Sequence, residues 1–407
     1  MIRRSTVVVL GLSQLVCWGT SYYLVGALGE TMAADLGWSL SVVHGGFSAA
    51  LVVMGLVSPA VGRAIDRWGG RPVMVAGSGL LALGFVGLAL ARGLIAHYAA
   101  WVVLGAAMRM TLYDAAFASL ARIGGPLARR PISHVTLLGG LGSTVFWPIT
   151  HALAEAFGWR TAVLIHALFA VLTIPLHLAI PPWPPRGAEE AGSAGARPEP
   201  ASPGRTLPGT RFLYALIVTM TSFLNSGMSA HMIDILSGLG AGASLAVWMS
   251  TLRGIGQSGA RLGETMFGGR TSPLTLCVGA SALLPLCFIV GLFSPRWVAA
   301  GFAFALLYGA GNGLHTIVRG TLPLVLFDPA AYGSVVGRLL VPSFFLSGLA
   351  PLVLALLVER HGPAAALYLS AAVALMVLAA ALALRSVHGR STSGRADPTR
   401  VTGGADG

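Results

Sequence analysis

Lysine is absent from this chain of 407 residues, so its 26 basic residues are all arginine. Acidic residues number only 14, and charged residues make up 10% of the chain, where a soluble domain carries about 25%. That is too little charge to coat a globule of this size, which excludes an ordinary soluble enzyme and a disordered chain. Cysteine is scarce: Cys17, Cys277 and Cys287 lie inside apolar runs, where thiols are usually inert. No CxxC or Cys/His spacing for a metal is present. The phosphate-cradling GxxxxGK[ST] loop and the HExxH pair are missing too, and Ser-x-x-Lys cannot occur without lysine. ATP-driven transport, metal-dependent hydrolysis and other enzymatic activity are therefore not expected, and neither a cofactor nor a metal is implied. The missing lysine accompanies abundant Ala, Gly and Arg and reads as GC-rich coding.

What the chain has in abundance is apolar sequence. Hydrophobic residues make up 55%, and the mean hydropathy is +0.78. Apolar segments run over roughly 6–28, 42–61, 72–91, 97–120, 134–157 and 160–180, and again over 212–233, 243–260, 273–293, 297–320, 334–358 and 363–384. Each is near the ~20 residues that cross a bilayer as a helix; they are numbered helices 1 to 12. Between the two sets of six lies 181–211, rich in Pro, Gly, Ala and charge, which reads as a poorly ordered linker. The end from 389 onward reads as a disordered tail. The expected organisation is a six-helix bundle over 1–180, the linker 181–211, a second six-helix bundle over 212–388 and the tail 389–407. The start, Met-Ile-Arg-Arg before an apolar run, has the look of a signal peptide. The run is too long for one and more spans follow, so an uncleaved first helix is expected.

The net charge of +12 would fit a nucleic-acid partner if the arginines were clustered on a soluble face. They sit instead in short loops between spans. With twelve spans, eighteen arginines fall on the side of the first residues and four (Arg92, Arg160, Arg296 and Arg360) on the other. The remaining Arg109, Arg253, Arg319 and Arg338 lie in helices or at their edges. By the positive-inside rule both ends of the chain face the cytoplasm, which predicts a multi-pass protein of the cytoplasmic (inner) membrane with membrane lipid around it. The halves also echo each other: GRAIDRWGGR at 62–71 follows helix 2, and ARLGETMFGGR at 260–270 follows helix 8. Arg63 aligns with Arg261 and Asp66 with Glu264. Repeats of this kind are what the two halves of a six-plus-six transporter give.

Gly62, Asp66, Arg67, Gly69 and Arg71 fit the pattern Gly-x-x-x-Asp-Arg-x-Gly-x-Arg. In this loop and in the six-linker-six layout the chain resembles the major facilitator superfamily; Gly70 stands where that family often has a second basic residue. The resemblance implies an all-α membrane protein of twelve helices in two pseudo-symmetric bundles. It also implies alternating access to a central cavity lined by helices 1, 4, 7 and 10. By carry-over, Asp66 closes the cytoplasmic gate against the start of helix 11, where the helix dipole favours an anion. Arg338 and Arg122 are its candidate partners, and Glu264 is the weaker equivalent against the start of helix 5. Within the superfamily, GWR at 158–160, STVFWP at 143–148 and GNGLHTIVRGTLP at 311–323 look like bacterial members near the monocarboxylate and oxalate/formate carriers. Helices 4 and 5 depart from the patterns of drug exporters: MTLYDAA stands at 110–116, and Trp147 precedes Pro148.

Charge inside a bilayer costs roughly 2.5–3.5 kcal/mol on insertion scales and marks functional candidates. Arg109 lies near the middle of helix 4, with Tyr113 four residues on and on the same helical face, and Asp114 beyond it. Arg109 reads as an anion contact and Asp114 as a proton carrier, or the two as a neutralising pair that ties helices together. Arg253 in helix 8 has no acidic residue in its helix before Glu264. It fits a carboxylate gripped bidentately, or it lies along a water-filled cleft. In the monocarboxylate carriers that the chain resembles, a helix 8 arginine binds substrate, with an Asp four residues before it; here that position is Met249. Tyr308, Asn312, His315 and Arg319 fall on one face of helix 10. The first two read as substrate contacts, His315 as a proton carrier or helix bridge, and Arg319 as a gate residue or anchor. Asn225 of helix 7 and the Gln14–Trp18–Tyr22 face of helix 1 add polar and aromatic lining.

The expected function is secondary transport of a small, anionic organic solute, monocarboxylate-like, with a co-transported proton as the candidate coupling ion and the monomer as the working unit. A proton-coupled exporter of drugs is the alternative within transport. A transporter-like receptor is the alternative outside it, disfavoured by the short, featureless linker and tail.

Overall fold

The computed structural model describes residues 2–182, 208–268 and 271–393. Among these the chain is helical throughout, and the twelve expected spans are all present. Helix 1 is assembled from Arg4–Cys17, a π-helical turn Trp18–Tyr22 and Leu24–Leu36. Helices 2 and 3 are Leu40–Trp68 and Gly70–Leu90. Helix 4 comprises Leu94–Thr111 and Tyr113–Gly124, helix 5 comprises Arg129–Gly139 and Gly142–Phe157, and helix 6 is Trp159–Leu178. In the second half, helices 7 to 10 are Pro208–Gly238, Ala243–Phe267, Pro273–Gly291 and Val298–Thr321. Helix 11 comprises Tyr332–Leu339 and Val341–His361, and helix 12 is Pro363–Ser393. Most of the expected linker and of the expected tail lies outside the described residues. The edges differ: 208–211, expected in the linker, form the first turn of helix 7, and 389–393, expected in the tail, continue helix 12.

The sequence echo between the halves has a packing counterpart. In the first half helix 3 packs on helices 4 and 6, helix 2 on helix 4, and helix 1 on helices 5 and 6. Adding six to every number gives the pairs of the second half: helix 9 on 10 and 12, helix 8 on 10, helix 7 on 11 and 12. A repeated apolar pattern folds into a repeated arrangement because the same faces must be buried each time.

The halves meet chiefly at the end that carries the 62–71 loop, called here the basic end. Helix 2 runs against the first segment of helix 11, and helix 5 against helix 8. The contact of helices 2 and 11 is a backbone approach, because a Cβ on Gly62 would overlap the Gly333 carbonyl. Asp66 then accepts from the Gly333 N–H at 2.9 Å and the Ser334 N–H at 2.7 Å, at the start of helix 11. Charge-assisted bonds of this kind contribute about 1.5–3 kcal/mol each, and the helix dipole adds to them. Arg338, expected as a partner of Asp66, is exposed and makes no bond to it; main-chain donors take that place. Arg122 donates to the Ala330 carbonyl at 3.2 Å. Arg67 lies over the Trp68 ring at 5.7 Å, and Arg71 is half-buried. The pseudo-symmetric contact uses side chains instead: Arg129, at the start of helix 5, donates to Glu264 at 3.1 Å and to the Gly268 carbonyl at 2.8 Å.

At the opposite end, Leu24–Leu36 and Gly142–Phe157 pack within their own half. The seal at the basic end should therefore depend on Gly62. Replacing it with Val is expected to increase thiol labelling of a Ser334→Cys reporter several-fold, the native cysteines being buried. Unchanged labelling would mean that the approach of Gly62 to Gly333 does not hold the seal.

Candidate functional site

A cavity of about 190 Å³ lies between the halves. It is smaller than the ~300–1,000 Å³ of drug-sized sites. The cavity is lined from both halves: helices 1, 2, 4 and 5 on one side, helices 7, 8, 10 and 11 on the other. Two interruptions in regular helix shape its first wall. The π-helical turn Trp18–Tyr22 adds a residue to one turn of helix 1. Trp18, Tyr22 and Tyr23 all line the cavity as a result, while Gln14 is turned into the bundle. Of the expected Gln14–Trp18–Tyr22 face, Trp18 and Tyr22 share the cavity wall with ring centroids 4.8 Å apart, and Gln14 does not join them. Tyr22 stands edge-on to Phe47, with ring centroids 5.0 Å apart.

The second interruption is in helix 4. Leu112 is extended, at φ −79 and ψ −175. This frees the Thr111 carbonyl, which accepts from Gln14 Nε2 at 2.7 Å. It also corrects the reading of Arg109 and Tyr113 as neighbours on one continuous helical face: they lie on opposite sides of the break. Arg109 is 2% exposed and points away from the cavity, with its Nε donating to Ser58 at 2.8 Å. Tyr113 lines the cavity and donates to the Thr136 carbonyl at 3.1 Å. Asp114 falls in the first turn of the new helical segment, where the dipole favours a carboxylate.

Asp114 also reaches across to the other half. Arg319 Nε meets its Oδ1 at 2.9 Å and Nη2 meets Oδ2 at 2.9 Å, a bidentate pair. The hydrogen-bonded partner of Asp114 is thus Arg319 of helix 10, whereas Arg109 of its own helix adds only its nearby charge. Tyr308, read as a substrate contact, is buried with its hydroxyl on the Leu224 carbonyl at 2.9 Å, behind the cavity wall. Asn312 and His315 line the cavity, with His315 Nε2 lying 3.4 Å from Ser281 Oγ.

Arg253 is held differently. Its Nη2 donates to Asn225 Oδ1 at 2.9 Å and to Ser229 Oγ at 2.6 Å. Asn312 Nδ2 donates to the same Asn225 oxygen at 2.8 Å. The Tyr308 ring lies 5.5 Å below the guanidinium, a cation–π contact. All of these partners are neutral; among the described residues no carboxylate pairs with Arg253.

The sequence reading missed one lining residue of weight, Arg261. It was assigned to the loop by its alignment with Arg63, yet it is 3% exposed and lines the cavity. Its Nη1 donates to the Thr136 carbonyl at 3.2 Å and its Nη2 to Thr316 Oγ1 at 3.0 Å. The signal was present: Arg253, Gln257 and Arg261 are spaced by four and fall on one face of helix 8, and all three line the cavity. The lining therefore carries three guanidiniums, Arg253, Arg261 and Arg319, against the single carboxylate of Asp114.

The family model of the Major Facilitator Superfamily matches residues 10–339. The chain belongs to the major facilitator superfamily. It is a multi-pass membrane protein and a secondary transporter, not an enzyme. The chain is similar to human monocarboxylate transporter 11, at 29% identity over 341 residues, covering 75% of this chain and 67% of that protein. Its fold is similar to that of the human organic anion transporter MFSD10, with a TM-score of 0.74 at 19% identity, covering 93% of this chain and 99% of the other. It is similar likewise to the transporter FucP in the outward conformation, with a TM-score of 0.73 at 14% identity and coverage of 94% and 99%.

The bidentate Asp114–Arg319 pair spans the halves, so it should couple them energetically. A double-mutant cycle of Asp114→Asn and Arg319→Gln, read by thermal denaturation in detergent, is expected to give a coupling of about 0.5–3 kcal/mol. Additive effects would show that the pair contributes nothing beyond its separate members.

Proposed function

We propose that this transporter carries a small organic anion of the monocarboxylate class across the cytoplasmic membrane by alternating access. The observation that supports this most strongly is Arg253: a guanidinium facing the cavity and held only by neutral groups. Amide and hydroxyl dipoles orient the fork but leave its charge uncompensated. A carboxylate would supply two parallel hydrogen bonds and the missing charge. Asn225, Asn312, Tyr113 and Tyr22 border the same space and would fix the rest of the solute. The names of two similar proteins, a monocarboxylate transporter and an organic anion transporter, point the same way. A lipophilic cation would meet three guanidiniums in a cavity of about 190 Å³, which disfavours the drug-exporter reading.

With the basic end in the cytoplasm, as the arginine bias directs, the arrangement described is closed to the cytoplasm. Asp66 on helix 11 and Arg129 with Glu264 act as two related latches that exist only in this state. Only contacts that differ between states can shift the equilibrium between them. Arg109 then serves the wall behind the cavity, not the anion directly. Asp114 is the proton-carrier candidate: protonating it would cancel the attraction to Arg319 and loosen the halves. His315 is the second candidate for that role.

The test is a thermal-shift screen of the detergent-purified protein with acetate, lactate, pyruvate and lipophilic cations. A ligand at a hundred times its Kd stabilises by about 2.7 kcal/mol. A small carboxylate is expected to raise the Tm, and Arg253→Gln to weaken that binding about tenfold or more, the contribution of a charge-assisted bond. Shifts with lipophilic cations alone would overturn the proposal.

A further inference from the structure

Arg261 supports a second step beyond the anion reading, and rests on it. Three observations set this residue apart. It is 3% exposed, yet it lines the cavity. Its Nε has no hydrogen-bond partner in the structure, and no carboxylate among the described residues pairs with it. Its two bonded nitrogens reach opposite halves of the protein. Thr316 Oγ1 belongs to helix 10, in its own half, and the Thr136 carbonyl to helix 5, in the other.

We infer that Arg261 is a second anion station, reached from Arg253 along helix 8 and used when the transporter opens at its basic end. The geometry gives the sequence of events. Arg253, Gln257 and Arg261 lie on one face, with the Cα atoms of the two arginines about 12 Å apart along the axis at 1.5 Å per residue and an amide side chain between them. In the closed state the Arg261 fork is occupied by the Thr136 carbonyl, at the break in helix 5. That carbonyl also accepts the Tyr113 hydroxyl and the Gly140 N–H. Gly140 leaves room for the guanidinium, since a Cβ there would overlap Arg261 Nη1. Opening at the basic end separates helix 5 from helix 8 and takes the Thr136 carbonyl away. Arg261 then holds a freed Nη1 N–H and, on the opposite edge of the guanidinium, its unpaired Nε N–H, so a carboxylate finds a charge-assisted donor on either edge. A solute that leaves Arg253 finds this guanidinium on the way to the basic face, and a solute that enters from the basic face meets it first. The station therefore acts in one orientation of the carrier, whereas Arg253 is available in the closed arrangement described here.

The consequence is sidedness. In vesicles with the purified protein reconstituted in known orientation, the probe would be lactate or pyruvate, whichever is carried faster. KM would be measured with the probe on the basic face and, separately, on the opposite face. Arg261→Gln is expected to raise KM at the basic face about tenfold or more relative to the opposite face. Arg253→Gln is expected to shift the ratio the other way or to raise both values. Arg261→Lys keeps the charge without the fork and should give a smaller shift of the same sign. Because it retains the cation, it also serves if the glutamine variant fails to fold. Equal KM changes at the two faces, or none, in a wild-type background that carries the probe would overturn the station while leaving the anion reading intact. A wild-type protein that carries neither probe and binds no small carboxylate would overturn both.

Discussion

A guanidinium kept from bulk water must be held by something, and the way this protein holds its arginines organises everything else. Three solutions coexist within one bundle. Arg319 is neutralised by a carboxylate from the other half. Arg109 is packed behind the wall on a serine hydroxyl. Arg253 and Arg261 are held by amides, hydroxyls, a carbonyl and an aromatic face, none of which removes the charge. For Arg261, which is buried, neutral dipoles repay part of the desolvation cost, which reaches several kcal/mol per ion in a protein interior; Arg253 is half-buried. The cavity lining carries three guanidiniums against one carboxylate, the arrangement on which the proposed anion selectivity rests.

The same economy of contacts appears at the basic end. Two pseudo-symmetric contacts join the halves there, but they use different chemistry: Asp66 takes main-chain N–H groups of helix 11, and Glu264 takes a guanidinium at the start of helix 5. Between them the backbones of helices 2 and 11 come close enough that Gly62 and Gly333 allow no side chain. These contacts are short-ranged and lie at one end. A rocking of one half against the other would break them together without disturbing the pairs within each half, such as helix 3 on 6 or helix 9 on 12.

The fold was legible because its determinants are one-dimensional. Apolar run length, arginine bias and the paired 62–71 and 260–270 segments gave the number of spans and the two halves. Asp66 was placed against the start of helix 11, and its carboxylate lies there. The site was less legible, for reasons that are local and physical. Helical spacing put Arg109 and Tyr113 on one face, and the extended Leu112 separates them; nothing in MTLYD announces that break. Gln14 leaves the Gln14–Trp18–Tyr22 pattern because its amide donates to the Thr111 carbonyl freed by the same break. Asp114 was read against the nearest arginine in sequence, whereas its partner stands 205 residues away. Arg261 was assigned by alignment with a loop arginine although its spacing from Arg253 and Gln257 placed it on the cavity face. Periodicity within an unbroken helix placed Asn312, His315 and Arg319 on the cavity face but not Tyr308 of the same stripe, and inference across a break or between halves failed more often.

The most direct test of this account is an experimental structure with a bromine-labelled small carboxylate, 3-bromopropionate, located by its anomalous signal. The account predicts the carboxylate within hydrogen-bond reach of the Arg253 fork, beside Asn225 and Asn312, with the bromine directed into the space bordered by Tyr22 and Tyr113. A ligand seated against the aromatic residues of helix 1, with no anionic group on either Arg253 or Arg261, would contradict it.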